Sequence, residues 1–108
     1  MTSSRAKLLA YVRTQAEAWR RLESLWLAIV SRFESISTPN VGTSDDSIVL
    51  SWNLRTIHFA IHVSTDAGDE KIYWFARQKD TGIKEDGTAL SAEAWAWLER
   101  IAAITESQ

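Results

Sequence analysis

Ser47-Ile48-Val49-Leu50-Ser51-Trp52-Asn53-Leu54-Arg55-Thr56-Ile57-His58-Phe59-Ala60-Ile61-His62-Val63-Ser64 is the stretch that decides the fold. Ile48, Leu50 and Trp52 alternate with Val49, Ser51 and Asn53. Ile57, Phe59, Ile61 and Val63 alternate with Thr56, His58, Ala60, His62 and Ser64. A period of two belongs to a strand with one buried face, so strands are predicted over 47–53 and 56–64. A tight reversal around Asn53-Leu54-Arg55 sets Trp52 opposite Ile57, Leu50 opposite Phe59 and Ile48 opposite Ile61. Both apolar rows then point the same way, as a half-buried antiparallel hairpin requires.

Downstream, Thr65 to Glu70 reads as a turn, and Lys71 to Gln78 as a third strand. That strand is apolar on both faces. Either Ile72, Trp74 and Ala76 or Tyr73, Phe75 and Arg77 join the core, and the other row lies beside His58, Ala60 and His62. Lys79 to Thr88 reads as a charged loop. A helix over 91–104 follows, with Ser91 as its N-cap and Glu93 in the first turn, where a carboxylate suits the helix dipole. Leu90 and Trp95 are spaced as a hydrophobic staple. Ala94, Trp97, Leu98, Ile101 and Ile104 fall on one side, and the tail from Thr105 should fray.

Upstream, Thr2 to Ile36 contains neither Gly nor Pro. Val12, Trp19, Trp26 and Phe33 recur every seven residues, as do Leu8, Leu22, Ile29 and Ile36, with Gln15 the one break. Leu9, Ala16, Leu25 and Val30 widen the stripe. This predicts a long amphipathic helix over 3–36 that packs on something as broad as a sheet, ended by the Ser37 to Gly42 segment and a loop running to Asp46. At 1.5 Å per residue it would measure about 45 Å, longer than a small domain is wide. Part of it must overhang, so Trp19 and Trp26 become candidate interface residues in a homodimer or with another protein. The expected architecture is α+β, in one domain over 1–108: long N-terminal helix, three-stranded antiparallel meander and C-terminal helix (α-β-β-β-α), in two layers.

Composition narrows the function. The 108 residues are 45% hydrophobic and 24% charged, which suits a globular chain rather than a disordered one. Cysteine is absent, so disulfides, thiolate metal sites and cysteine nucleophiles are excluded. Thr56 to Thr65 is among the longest uncharged runs, too short for a bilayer span, and Arg5, Lys7 and Arg13 interrupt any leader-like apolar run. A cytoplasmic protein with no membrane contact is expected. The net charge is −2, yet residues 1–36 carry six basic side chains against three acidic ones. Arg13, Arg20 and Arg21 therefore give a nucleic-acid-associated regulator as the alternative function, although the bias falls short of a dense basic footprint. Six tryptophans suit either a core of few large pieces or anchors at an interface.

Catalytic constellations are sparse. The glycines at 42, 68, 82 and 87 open no helix, so no phosphate-cradling loop is present. His58 and His62 share a strand face but stand about 13 Å apart at ~3.3 Å per residue, too far for one metal ion. Ser51 is a cross-strand neighbour of His58, but no nucleophile-elbow motif surrounds it. The acidic pairs Asp45-Asp46, Asp69-Glu70 and Glu85-Asp86 read as solvated turns. No enzyme activity, cofactor or metal is expected. The sheet face carrying His58, His62, Tyr73, Phe75 and Arg77, together with Trp19, Arg20, Arg21 and Trp26 on the helix, is the candidate partner-binding set.

Ile48-Val49-Leu50-Ser51-Trp52-Asn53 and Ile72-Tyr73-Trp74-Phe75-Ala76-Arg77, followed by Thr81-Gly82, resemble a pattern in small bacterial and phage proteins. Those proteins carry an apolar run ending in Ser-Trp-Asp or Ser-Trp-Asn, then an aromatic-x-Trp-Phe-x-Arg strand and a Thr-Gly turn. The likeness covers residues 48–82. Many such proteins are similar to accessory members of toxin and antitoxin pairs or of mobile elements. The resemblance implies a small non-catalytic protein, antitoxin-like or a phage-type inhibitor, acting through protein contacts.

Overall fold

Residues 2–66 and 71–106 are described by a computed structural model; the side chains of 2–4, 11, 105 and 106 lie outside that description. The order is α1 (Thr2–Arg32), β1 (Asn40–Thr43), β2 (Ser47–Asn53), β3 (Ile57–Ser64), β4 (Ile72–Gln78), β5 (Lys84–Thr88) and α2 (Ala92–Glu106). The class is α+β as expected, but the sheet has five strands, paired antiparallel in sequence order, not three.

The β2–β3 hairpin forms where the alternating pattern places it. Its register differs by two residues: Trp52 faces Phe59, Leu50 faces Ile61 and Ile48 faces Val63. The reversal is a two-residue turn, Arg55-Thr56, closed by Leu54 N–H donating to the Ile57 carbonyl at 2.8 Å. Lys79 holds this turn. Its backbone N–H donates to the Thr56 carbonyl at 2.8 Å, and its ammonium donates to Asn53 Oδ1 and the Leu54 carbonyl at 2.5 and 2.7 Å. A slip of two preserves the faces, so the same residues are buried.

The additional strands are the two edges. Asn40–Thr43, expected in a loop, pairs with β2 across the Asp45-Asp46 turn, and Ser44 N–H donates to the Ser47 carbonyl at 2.8 Å. Lys84–Thr88, expected within the charged loop, pairs with β4. Their residues are almost all exposed, so neither sequence carries apolar alternation. What orders them is the hydrogen-bonding edge offered by β2 and β4. Gly82, with φ of +76°, makes the left-handed step that turns β4 into β5.

The core row of β4 is Ile72, Trp74 and Ala76, which settles the choice left open by the sequence. Ile48, Ile57, Phe59, Ile61 and Val63 form its buried centre with Ala18, Leu22, Leu25 and Ile29 of α1 and Ala94, Leu98 and Ile101 of α2. An aromatic chain runs through it: Trp26 to Trp52, Trp52 to Phe59 and Phe59 to Trp74, with centroids 6.4, 6.0 and 6.0 Å apart. Both helices lie on this one sheet face. The Arg32 guanidinium stacks over Trp95 at 4.8 Å, joining the end of α1 to α2.

All four helix boundaries differ from expectation, the start of α1 by one residue, at Thr2. Helix α1 stops at Arg32, not Ile36. Ser35, Ile36, Ser37 and Thr38 are poor helix formers and Thr38 precedes Pro39. A turn follows the helix, with Ile36 N–H donating to the Phe33 carbonyl at 3.1 Å, and the indole N–H of Trp52 takes up the Ser37 carbonyl at 2.8 Å, leaving Ile36 buried outside the helix. Helix α2 begins at Ala92 and runs to Glu106, past the expected fraying point, while 107–108 lie outside the described residues. The turn expected over 65–70 falls partly outside them too.

The overhang is borne out by a principal extent of 57 Å against 28 and 22 Å. Among the described residues Ala18 is the first buried one of α1, and every described side chain from Arg5 to Arg13 is exposed.

Candidate functional site

A strand sends alternate side chains to opposite faces, so burial of one row fixes what the other displays. The register places Val49 opposite His62, Ser51 opposite Ala60 and Asn53 opposite His58. It continues with His62 opposite Tyr73, Ala60 opposite Phe75 and His58 opposite Arg77, and ends with Tyr73 opposite Thr88, Phe75 opposite Asp86 and Arg77 opposite Lys84. His58, His62, Tyr73, Phe75 and Arg77 therefore share the face that neither helix covers. His58 and Phe75 lie 6.3 Å apart, ring centre to ring centre.

The face is electrically divided. At one end stand His58, Arg77 and Lys84, with Lys79 beside them. At the other, an open cleft of about 450 Å³ is lined by Asp46, Ser47, His62, Ser64, Asp66 and Tyr73. Partial burial foremost, then the nearby Lys79 and Arg77, lower the pKa of His58 below its ordinary 6.5.

The cleft is what sequence reasoning missed. Ser47 and Ser64 face each other across the hairpin. Ser47 Oγ lies 2.7 Å from Ser44 Oγ and 3.4 Å from Nδ1 of His62, and Ser64 Oγ accepts from the Asp66 N–H at 3.1 Å. The mirrored Asp46-Ser47 and Ser64-Thr65-Asp66 around one hairpin was the available signal. The Ser51 and His58 pair considered from sequence is not formed as a direct pair, since Ser51 faces Ala60 and His58 faces Asn53 and Arg77. Among the described residues no three His, Asp or Glu side chains converge as a metal site, and no helix is long and apolar enough to cross a membrane.

The helix residues form a separate region. Trp19, 45% exposed, lines an apolar groove of about 280 Å³ with Arg20, Leu22, Glu23, Trp26, Thr38, Pro39, Val41 and Leu50. Trp26 is half-buried against the core. Arg21 turns away from it and donates to the Ser64 carbonyl at 2.6 Å, so one of the three arginines proposed to meet nucleic acid is engaged in the fold.

Comparison with protein-family models, curated proteins and solved structures finds no match for this chain.

Proposed function

We propose that this chain is a non-enzymatic protein-binding module whose docking surface is the helix-free face of the sheet. One observation carries the reading: an aromatic centre, Tyr73 and Phe75, stands between a cationic end at Arg77 and Lys84 and an acidic end at Asp46 and Asp66. Aromatic anchors inside a polar rim are the usual anatomy of a protein interface. Opposite charges at the two ends set the orientation of a complementary partner and repel others. A nucleic-acid strand asks instead for positive charge along its whole track, which Asp46, Asp66 and Asp86 oppose. Ser47 is a poor nucleophile in this setting, because its hydroxyl already bonds Ser44 and its approach to His62 is long for a hydrogen bond. The resemblance over residues 48–82 supports an antitoxin-like or phage-type inhibitory role for such a module.

The test is co-purification from cells that naturally contain the chain. The Tyr73→Ser/Phe75→Ser variant should lose a specific protein that the unaltered chain retains. Leu27→Ser, on an exposed part of α1, should keep it. A partner retained equally by all three would overturn the reading.

A further inference from the structure

We propose that two copies of this chain pair through α1 as an antiparallel, two-fold seam built from Arg5, Leu9, Val12, Ala16, Trp19 and Glu23. This surface is distinct from the sheet face, and the inference does not rest on the reading given for that face.

These six residues follow one another at intervals of four, three, four, three and four, the spacing of a coiled-coil seam. At 3.6 residues per turn they fall within a strip about 80° wide, roughly 130° around the helix from the stripe of Ala18, Leu22, Leu25 and Ile29 that the sheet buries. All six are exposed, Leu9 by 54% and Val12 by 52%. The helix thus carries two seams, of which the fold covers one.

The ends of the strip identify the occupant. It begins on a cation, Arg5, and ends on an anion, Glu23, with apolar side chains between. A two-fold axis midway between Val12 and Ala16 brings Arg5 onto Glu23 of the second copy, Leu9 onto Trp19 and Val12 onto Ala16, each pairing occurring twice. Large meets small at the centre, and opposite charges close both ends. A parallel pair would instead set Arg5 against Arg5 and Glu23 against Glu23. The strip is complementary to itself in one orientation only.

The arrangement also accounts for a helix that is otherwise poorly supported. The exposed part of α1 makes few contacts with the sheet, its first turn has no acidic residue, and Arg5 and Lys7 oppose the helix dipole. A protruding helix of this length is marginal in water without tertiary contacts. Paired as proposed, the two helices lie along each other for about 27 Å, and each overhang rests on the partner's helix. Its beginning then reaches the apolar groove of Trp19, Trp26, Pro39 and Val41, where the strip runs into the globule.

Sedimentation equilibrium of the purified full chain, from low micromolar to hundreds of micromolar, tests this, with far-ultraviolet circular dichroism reporting the fold of each variant. The unaltered chain should be a dimer at the upper concentrations. Arg5→Glu and Glu23→Arg should each weaken it by about tenfold or more, since each converts both end pairs to like charges. Arg5→Glu/Glu23→Arg together should restore it, as should mixing the two single variants in equal amounts. Val12→Asp should give a monomer. A monomer at every concentration overturns the proposal, including one that instead binds anionic vesicles. So does a dimer indifferent to the single charge changes or to Val12→Asp. Because only this chain is present, failure here is distinguishable from failure to find a partner for the sheet face.

Discussion

Gly87 of β5 stands directly across from Trp74 of β4, and a Cβ added to Gly87 would lie 2.8 Å from the indole Nε1 and 3.1 Å from two ring carbons. The absent side chain is what lets Trp74, 4% exposed, occupy the edge of the core beneath an otherwise charged strand. Gly87→Ala should therefore force a buried, bulky ring to move, at about 1–3 kcal/mol. Thermal unfolding followed by circular dichroism should show a drop of several degrees, and an unchanged midpoint would contradict the contact.

Trp52 joins the segment between α1 and β1 to the hairpin through its N–H to the Ser37 carbonyl at 2.8 Å. Trp52→Phe removes that donor and part of a ring that is 2% exposed. A loss of about 1–3 kcal/mol in urea unfolding is expected, from the unpaired carbonyl and the volume left empty.

These two contacts mark what was legible in the sequence and what was not. Period-two alternation identified β2 and β3, and seven-residue recurrence identified α1, because each element buries one side. From that followed the grouping of His58, His62, Tyr73, Phe75 and Arg77, since alternate residues of paired strands share a face whatever the register. Asn40–Thr43 and Lys84–Thr88 left no such mark, being edge strands held by main-chain pairing. The cleft at Ser47 and Ser64 required the true register, two residues from the expected one. The end of α1 at Arg32 was hidden because Ile36 keeps the seven-residue spacing and is buried, yet reaches the core from beyond a turn that follows the helix.

Ala89 has φ of +65°, a left-handed conformation that a Cβ disfavours, at the junction between β5 and α2. Its N–H donates to the Ile72 carbonyl at 2.7 Å, which fixes the backbone there. Ala89→Gly should raise stability by about 0.5–1 kcal/mol, the relief exceeding the added chain entropy, and Ala89→Val should lower it. Thermal melts of the pair check the order.

His58 binds a proton less readily in the folded chain than in the unfolded one, through partial burial and then the nearby Lys79 and Arg77. As pH falls below about 6.5, the unfolded chain takes up the proton first, and stability declines until the folded histidine is also protonated. Melting temperature should therefore fall between neutral pH and about pH 5, and His58→Gln should flatten that part of the profile. A steeper decline in the variant would contradict the assigned direction.

The central claim, that the helix-free sheet face receives a protein, is tested most directly by a photoactivatable residue placed at Phe75 and, separately, at Ala103 on the exposed side of α2. After illumination in the native cell, position 75 should give one discrete protein adduct and position 103 should not. Adducts of equal yield from both positions, or nucleic acid in place of protein at position 75, would contradict it.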